Sequence, residues 1–327
     1  MLPEYLAYFL KSPAYWKQIA DNTSGIAIPN VNASKLQEVR LHLVPLDQQR
    51  LIVAEIEKQF SRLDKAVAGL QRVKANLKRY KAAILKAAVE GRLVPTEADL
   101  ARREGRSYET GTQLLQRILE IRRSQWQGKG KYKEPAAPDT TDLPELPEGW
   151  TWATLPQLGE LGRGKSKHRP RDDDRLYGGP YPFIQTGDVR RSDGSICEHT
   201  QTYSELGLAQ SRLWPAGTLC ITIAANIAET GILTFESCFP DSVVGFISAT
   251  EPVTTRYAEF FVRTAKNNLD RFASATAQKN INLEVLDAVG VALPPLPEQH
   301  RIVAEVDRLL SITRETEACL LYTSICV

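Results

Sequence analysis

Apolar residues recur at steps of three and four along one stretch, Leu46 to Val89, which has no proline and no glycine before Gly69. The series Val53, Ile56, Phe60, Leu63, Val67, Leu70, Val73, Leu77, Tyr80, Ile84 and Ala87 marks one helical stripe. Such a stripe is the seam of a coiled coil and needs a partner helix to cover it. Two three-steps in succession, Val67 to Leu70 to Val73, shorten the repeat and predict local overwinding. A helix of this extent spans roughly 65 Å at about 1.5 Å per residue. It is too long and too charged for a core helix, so the pattern predicts a spacer.

The same reading places the other elements. Leu2 to Leu10 has a helical period, Ile26 to Pro29 is an extended segment, Ser34 caps a short helix to Val39, and Leu41 to Val44 is a short strand. Pro45 opens the long helix, and Gly91 followed by Pro95 closes it. Thr96 with Asp99 three residues on predicts an N-cap for a helix to Arg103. Another helix follows over Thr112 to Gln125, with Leu114, Leu115, Ile118, Leu119 and Ile121 on one face. Gln127 to Glu148 is rich in glycine, lysine and proline and reads as a linker.

Beyond it, Tyr181 to Val189, Thr218 to Ala224, Gly231 to Glu236 and Val243 to Ala249 are strand-like. Thr255 to Phe272 is an amphipathic helix carrying Tyr257, Phe260, Phe261 and Leu269. A second long helix starts after Pro294, and its seam is expected to fail past Leu310. There Thr313 and Glu317 occupy the places of Leu63 and Val67. The class expected is α+β, a domain of mixed strands and helices joined to long coiled-coil spacer helices.

An internal repeat relates the two spacers. Asn30 to Ile56 (NVNASKLQEVRLHLVPLDQQRLIVAEI) aligns without a gap to Asn280 to Val306 (NINLEVLDAVGVALPPLPEQHRIVAEV), with 12 of 27 positions identical. Tyr5 to Leu10 echoes Tyr257 to Val262. A repeat of such long period means two copies of one unit, a domain plus its following helix, rather than a solenoid. Only about the last 45 residues of the first copy precede the long helix.

Net charge is +2, which by itself says little about nucleic acid. Local charge is more informative, since Ser61 to Val89 holds eight Lys or Arg against the single acid Asp64. That run suits either a solvated helix face or a face turned to phosphates. Five cysteines without paired spacing point to free thiols in a reducing compartment. With no membrane-length apolar run and no signal segment, the expected location is cytoplasmic.

Catalytic motifs are missing from the sequence. No lysine has Asp or Glu two residues before it, as a common nuclease site requires, and there is no Walker loop, dinucleotide fingerprint or Asn-Pro-Pro-aromatic motif. His42, His168, His199 and His300 are scattered, with no zinc spacing, and His300 reads as a basic helix residue matching Arg50 in the repeat. No catalytic residue, metal site or cofactor of its own is expected.

DNA contact is better supported. Arg163, Lys165, Lys167, Arg169, Arg171 and Arg175 share one loop that Pro170 keeps from being helical. Cations at that density suit phosphates or guanine edges, although Asp172, Asp173 and Asp174 leave open a self-neutralised loop. Gln185, Thr186, Asp188, Arg190 and Arg191 follow a strand and offer the amide, hydroxyl and guanidinium groups of base reading, or else an ordinary polar turn. Asn226 sits in a loop of small residues, readable as structural or as a close approach to DNA. Gln278, Lys279, Asn280 and Asn282 precede the proline box, where the asparagines either cap the next helix or contact a DNA backbone.

Three segments carry a family resemblance. Asn-Ile-Asn, a short helix and then Leu-Pro-Pro-Leu-Pro-Glu-Gln-His-Arg-Ile-Val resembles the specificity subunit of type I restriction-modification systems. Leu146 to Trp150 (LPEGW) resembles that family's opening of a target recognition domain, and Gly91 to Pro95 (GRLVP) its exit from the central conserved region. The resemblance covers nearly the whole chain and implies five parts. Residues 1–45 are the remnant of a first recognition domain, 46–91 the central helix, 92–148 a connector, 149–293 the second recognition domain and 294–327 the start of the second conserved helix.

It implies a non-catalytic subunit that reads half of a split site on double-stranded DNA. Such a subunit docks two modification (methyltransferase) subunits and, with them, restriction subunits. Those partners would bind S-adenosylmethionine, ATP and Mg. Most of the first recognition domain and the end of the second helix are expected to be missing, so self-pairing through the exposed seam is a further expectation. Cys319 to Ser324 (CLLYTS) also matches one frame of a transposon adaptor end used in sequencing libraries, so the last eight or nine residues are expected to be foreign. The rival reading is a coiled-coil scaffold whose globular domain binds protein rather than DNA.

Overall fold

The computed structural model describes residues 1–21, 33–128, 130–224, 228–274 and 283–325, leaving aside the side chains of Lys35, 267–274 and 321–325. The extended segment expected at Ile26 to Pro29 lies outside the described residues. Two compact units are present, 1–76 and 77–327.

The first unit contains α1 (Pro3–Lys11), α2 (Pro13–Asp21), α3 (Ala33–Gln37) and the first part of α4 (Leu46–Val89). The long helix has the bounds its apolar stripe predicts. α2 was not foreseen; Ser12 breaks the helical run, its hydroxyl accepts from the Tyr15 N–H at 3.3 Å, and Pro13 starts a new turn. Ser34 is not a cap, because α3 already begins at Ala33 and ends by Gln37. Leu41 to Val44 does not form a strand, since among the described residues no segment lies beside it in a ladder.

That segment is held from the other side. The Tyr5 hydroxyl donates to the His42 carbonyl at 2.8 Å, and the buried Gln49 amide donates to the Val44 carbonyl at 2.6 Å while accepting from the Leu2 N–H at 2.8 Å. Tyr8 packs on Phe60 with ring centroids 5.9 Å apart. Along the seam Val53, Ile56, Leu70 and Leu77 are half-buried, Ile84 is buried, and Phe60, Leu63 and Val67 stay 51%, 39% and 41% exposed.

The second unit begins within α4. Gly91 ends that helix at φ +68°, with the Arg92 N–H donating to the Ala87 carbonyl at 2.8 Å. A Cβ there would also come within 2.5 Å of Pro147, so both backbone and packing call for glycine. Next come α5 (Glu97–Glu104), capped by Thr96 as expected, and α6 (Gly111–Ser124). The mixed region that follows opens with β1 (Thr151–Thr154), α7 (Leu155–Leu158), β2 (Gly159–Arg163), β3 (Tyr177–Phe183) and α8 (Thr186–Arg191). It continues with β4 (Gly194–Ile196), β5 (Gln201–Tyr203), α9 (Glu205–Ala209), β6 (Leu219–Thr222), β7 (Thr230–Leu233) and β8 (Val243–Ser248). The closing elements are α10 (Pro252–Ser274), α11 (Leu283–Ala288), β9 (Gly290–Leu293) and α12 (Leu296–Ile325).

A five-stranded sheet in the order β2-β8-β6-β7-β4 is antiparallel except for the β4–β7 pair. Two small antiparallel pairs, β1–β9 and β3–β5, stand apart from it. α10 covers the sheet with the fully buried Tyr257 and Phe260. The main core also joins Ile84, Leu85, Ala88 and Val89 of α4 with Ile302, Val306 and Leu310 of α12. The strand expected at Tyr181 to Val189 is corrected: it ends at Phe183, and Thr186 onward is helical.

The seam of α12 was expected to fail after Leu310, yet the helix continues to Ile325. Thr313 is buried with its hydroxyl donating to the Leu310 carbonyl at 2.8 Å, and Glu317 pairs with Lys81 at 2.6 Å. Polar pairing takes over where the apolar seam stops. Among the described residues no helix is long and apolar enough to cross a membrane, and no cluster of His, Cys, Asp or Glu is placed to hold a metal ion.

One hydrogen bond occurs in both repeat copies. Tyr257 donates to the Ala292 carbonyl at 2.8 Å inside the core, as Tyr5 does to His42 at the surface. Tyr257→Phe leaves a buried carbonyl unpaired and is expected to cost about 1–3 kcal/mol. Tyr5→Phe, where water replaces the donor, is expected to stay within about 0.5 kcal/mol. Urea unfolding of the two variants checks the difference.

Candidate nucleic-acid interface

The loop after β2 is built on its neighbours rather than floating free. Gly164 passes so close to 239–240 that a Cβ would lie 2.3 Å from the Phe239 and Pro240 carbonyls. Its N–H donates to the Val243 carbonyl at 2.9 Å, and the Lys165 N–H to the Phe239 carbonyl at 3.1 Å. The Gln210 side-chain oxygen accepts from the N–H groups of Lys167 and His168, and the Ser211 hydroxyl donates to the Lys165 carbonyl at 2.9 Å. Farther along, Tyr177 donates to the Arg171 carbonyl at 2.6 Å.

The acids of the loop quench only part of its charge. Arg171 pairs with Asp241 at 3.0 Å, and Arg175 with Asp173 at 2.7 Å. The Arg175 hydrogen bonds hold the Asp173 carboxyl well below the usual range, and His168 adds a contact at 2.8 Å. Arg163 donates to the Asp241 carbonyl at 3.0 Å, and Arg169 to the carbonyls of Ser166 and His168. Carbonyls do not neutralise a guanidinium. Among the described residues no carboxylate pairs with Arg163, Lys165, Lys167 or Arg169, all four exposed on this anchored loop. Such a surface can hold phosphates.

The second candidate group lies on a helical turn, because Asp188 caps α8 by accepting from the Gln185 N–H at 2.8 Å. Asp188 is buried and also takes bonds from Arg191 and from the Thr200 hydroxyl at 3.1 Å. Its carboxylate is therefore occupied in holding the turn, which corrects its expected place among exposed base-reading groups. Gln185 and Thr186 are half-buried, with the Gln185 amide donating to Gln201, while Arg190 and Arg191 are exposed at the end of α8. Arg191 stays tied to Asp188 by an ion pair.

A cavity of 330 Å³ lies beside this helix, lined by Asp188, Arg191, Ser195, Cys197, His199 and Thr200 among others. The residues of 195–200 were not singled out from sequence, where they are only a polar run between two short strands. β2 and β4 are the two outer strands of the sheet, so the charged loop and α8 are attached at opposite edges. Asn226, Gln278, Lys279, Asn280 and Asn282 lie outside the described residues.

Comparison with known proteins gives a consistent result. Residues 147–321 match the family model described as type I restriction modification DNA specificity domain. The specificity subunit of type I restriction enzyme EcoBI from Escherichia coli is 22% identical over 315 residues, covering 93% of this chain and 58% of the relative. The crystal structure of the HsdS subunit from Thermoanaerobacter tengcongensis superposes with a TM-score of 0.54 at 18% identity, over 99% of this chain and 65% of that one. A chain solved in work on complex assembly and conformational transition of the type I R-M system superposes with a TM-score of 0.59 at 20% identity, over 98% and 66%. The chain thus spans about three fifths to two thirds of these relatives.

If Asp188 holds α8 in place, its removal should be felt as lost stability. Asp188→Ala is expected to cost about 1–2 kcal/mol, the range for a lost helix N-terminal cap. Chemical denaturation of the variant measures it, and an unchanged midpoint would reject the capping role.

Proposed function

We propose a function from one premise: this chain belongs to the type I restriction modification DNA specificity domain family. It recognises DNA sequence on behalf of a methyltransferase and endonuclease assembly and performs no catalysis itself. The recognition domain of 149–293 reads one half of a bipartite site. α4 and α12 are the conserved helices that set the gap between halves, at about 3.4 Å per base pair. Modification subunits supply S-adenosylmethionine and methylate adenine, and restriction subunits add ATP- and Mg-dependent cleavage.

The observation that carries the DNA reading is the loop of 163–175. Four exposed cations that no described carboxylate pairs stand there on a backbone fastened to 239–243 and to Gln210 and Ser211, within a chain of net charge only +2. Phosphate contacts of this kind position a protein on the duplex, and residues reaching base edges then specify the sequence. Gln185, Thr186 and Arg190 stand at the sheet's other edge, where base contacts would be made.

A second reading is favoured by the partly exposed stripe of Phe60, Leu63 and Val67. Two chains pairing there would bring together two identical readers and give a palindromic site. The scaffold alternative uses the same stripe for another protein and has no use for the charged loop.

Methylome sequencing of cells expressing this chain with its modification subunit tests the role. A new methylated adenine within a split motif is expected, palindromic if two copies pair. In vitro, the double substitution Lys165→Ala with Lys167→Ala is expected to weaken DNA binding uniformly across sequences. It should lower the slope of log affinity against log salt by roughly 0.9 per lost phosphate contact. An unchanged slope would favour the protein-binding scaffold.

A further inference from the structure

The two repeat copies share a framework but not a cover. In the second copy Gln299 donates to the Pro294 carbonyl at 3.0 Å and accepts from the Thr254 hydroxyl at 2.9 Å, tying the end of β9 to the starts of α10 and α12. In the first copy Gln49, at the matching repeat position, donates to the Val44 carbonyl and accepts from the Leu2 N–H before α1. Tyr5 and Tyr257 bond the equivalent carbonyls of His42 and Ala292. Residues 40–43 therefore correspond to β9.

Their surroundings differ sharply. Leu293 is 0% exposed, whereas Leu43, the identical residue in the repeat, is 63% exposed. Pro295 is buried and Pro45 exposed; Glu298 is buried and Gln48 exposed. What covers the second copy is β1 with the Trp150 before it. β1 pairs antiparallel with β9, Thr151 opposite Leu293 and Ala153 opposite Val291, and the Trp150 indole N–H donates to Glu298 at 3.0 Å. Beside 40–44 no described segment takes that place, and among the described residues nothing bonds the backbone of Leu41 or Leu43.

We propose that residues 40–44 are a strand edge that accepts an extended protein segment of the Leu-Pro-x-Gly-Trp type, antiparallel and in the register of β1 on β9. The occupant is the opening strand of a recognition domain that lies outside these 327 residues. Its tryptophan sits over Gln48 as Trp150 sits over Glu298, and its next residues pair with Leu43 and Leu41. A second copy of this chain is a poor occupant, because its own β1 is already taken by β9. Main-chain pairing supplies affinity in such strand addition, and the apolar contact on Leu43 supplies selectivity. The inference rests on reading 1–45 as part of a second recognition-domain copy.

Appending a copy of residues 146–158 (LPEGWTWATLPQL) ahead of Met1 through a flexible linker tests it without depending on peptide affinity. Hydrogen exchange, followed by mass spectrometry on fragments covering 40–46, is expected to slow on the order of 100-fold at Leu41 and Leu43. Ala153→Pro within the appended copy, which removes one ladder donor, should abolish that protection. Equal exchange with and without the appended segment would overturn the proposal, and so would protection that survives the proline. The methylome experiment keeps the two readings apart. A methylated split motif with Leu41 and Leu43 unprotected rejects strand addition alone, and protection without any methylation rejects the specificity role alone.

Discussion

A buried side-chain amide at the start of α12 is the constraint on which the second unit depends. Gln299 is fully buried and uses both ends, its nitrogen toward Pro294 and its oxygen toward Thr254. An amide donates and accepts at once, which neither an ionised glutamate nor leucine can do. The preceding residue, Glu298, completes the junction by accepting from the Trp150 indole and from the Glu97 N–H at 2.8 Å. Burial raises its pKa, opposed by those two donors. Two adjacent side chains thereby gather the starts of β1, α5, α10 and α12 and the end of β9.

Around that junction the charges are arranged to satisfy buried groups. Glu97, nearly inaccessible, is bonded by Arg106 at 2.6 Å and by Arg301 at 2.7 Å. Glu259 lies inside α10 between Arg256 and Arg263, and Arg256 reaches on to Asp307 of α12 at 2.7 Å. Removing one member of such a group strands a buried charge, which is why these networks hold a single arrangement. The cations of 163–175 contrast with them. They are exposed, partly without acidic partners, and fastened through the backbone, so their charge is left for something outside the chain.

Much of the candidate site was legible as composition and little as geometry. The density of Arg and Lys between Arg163 and Arg175 is visible in the sequence, whereas the close backbone approach at Gly164 appears only in the structure. That Arg171 is spent on Asp241, seventy residues away, is not visible, since the pairing exists only once β2 lies beside β8. Asp188 looked like one polar group among several. Its conversion into a cap depends on the chain turning helical straight after a strand, a tertiary choice that overrides local strand preference.

The sequence by itself determined the long helix, its ends and the two-copy plan. Those follow from local rules: an apolar stripe at helical spacing, a proline before it, a glycine that alone tolerates φ +68°, and a run of identities at fixed offset. The tertiary structure decided which of the two copies is closed. Leu41 to Val44 and Gly290 to Leu293 have similar strand character, yet among the described residues only the latter pairs, because strand bonds need a neighbour that local sequence does not supply. It also decided that α12 persists past Leu310, where Thr313 satisfies its hydroxyl on its own helix and Glu317 finds Lys81. Helical hydrogen bonds close within a few residues, whereas strand pairing and buried polar contacts close across the fold. Sequence fixes the former and only packing settles the latter.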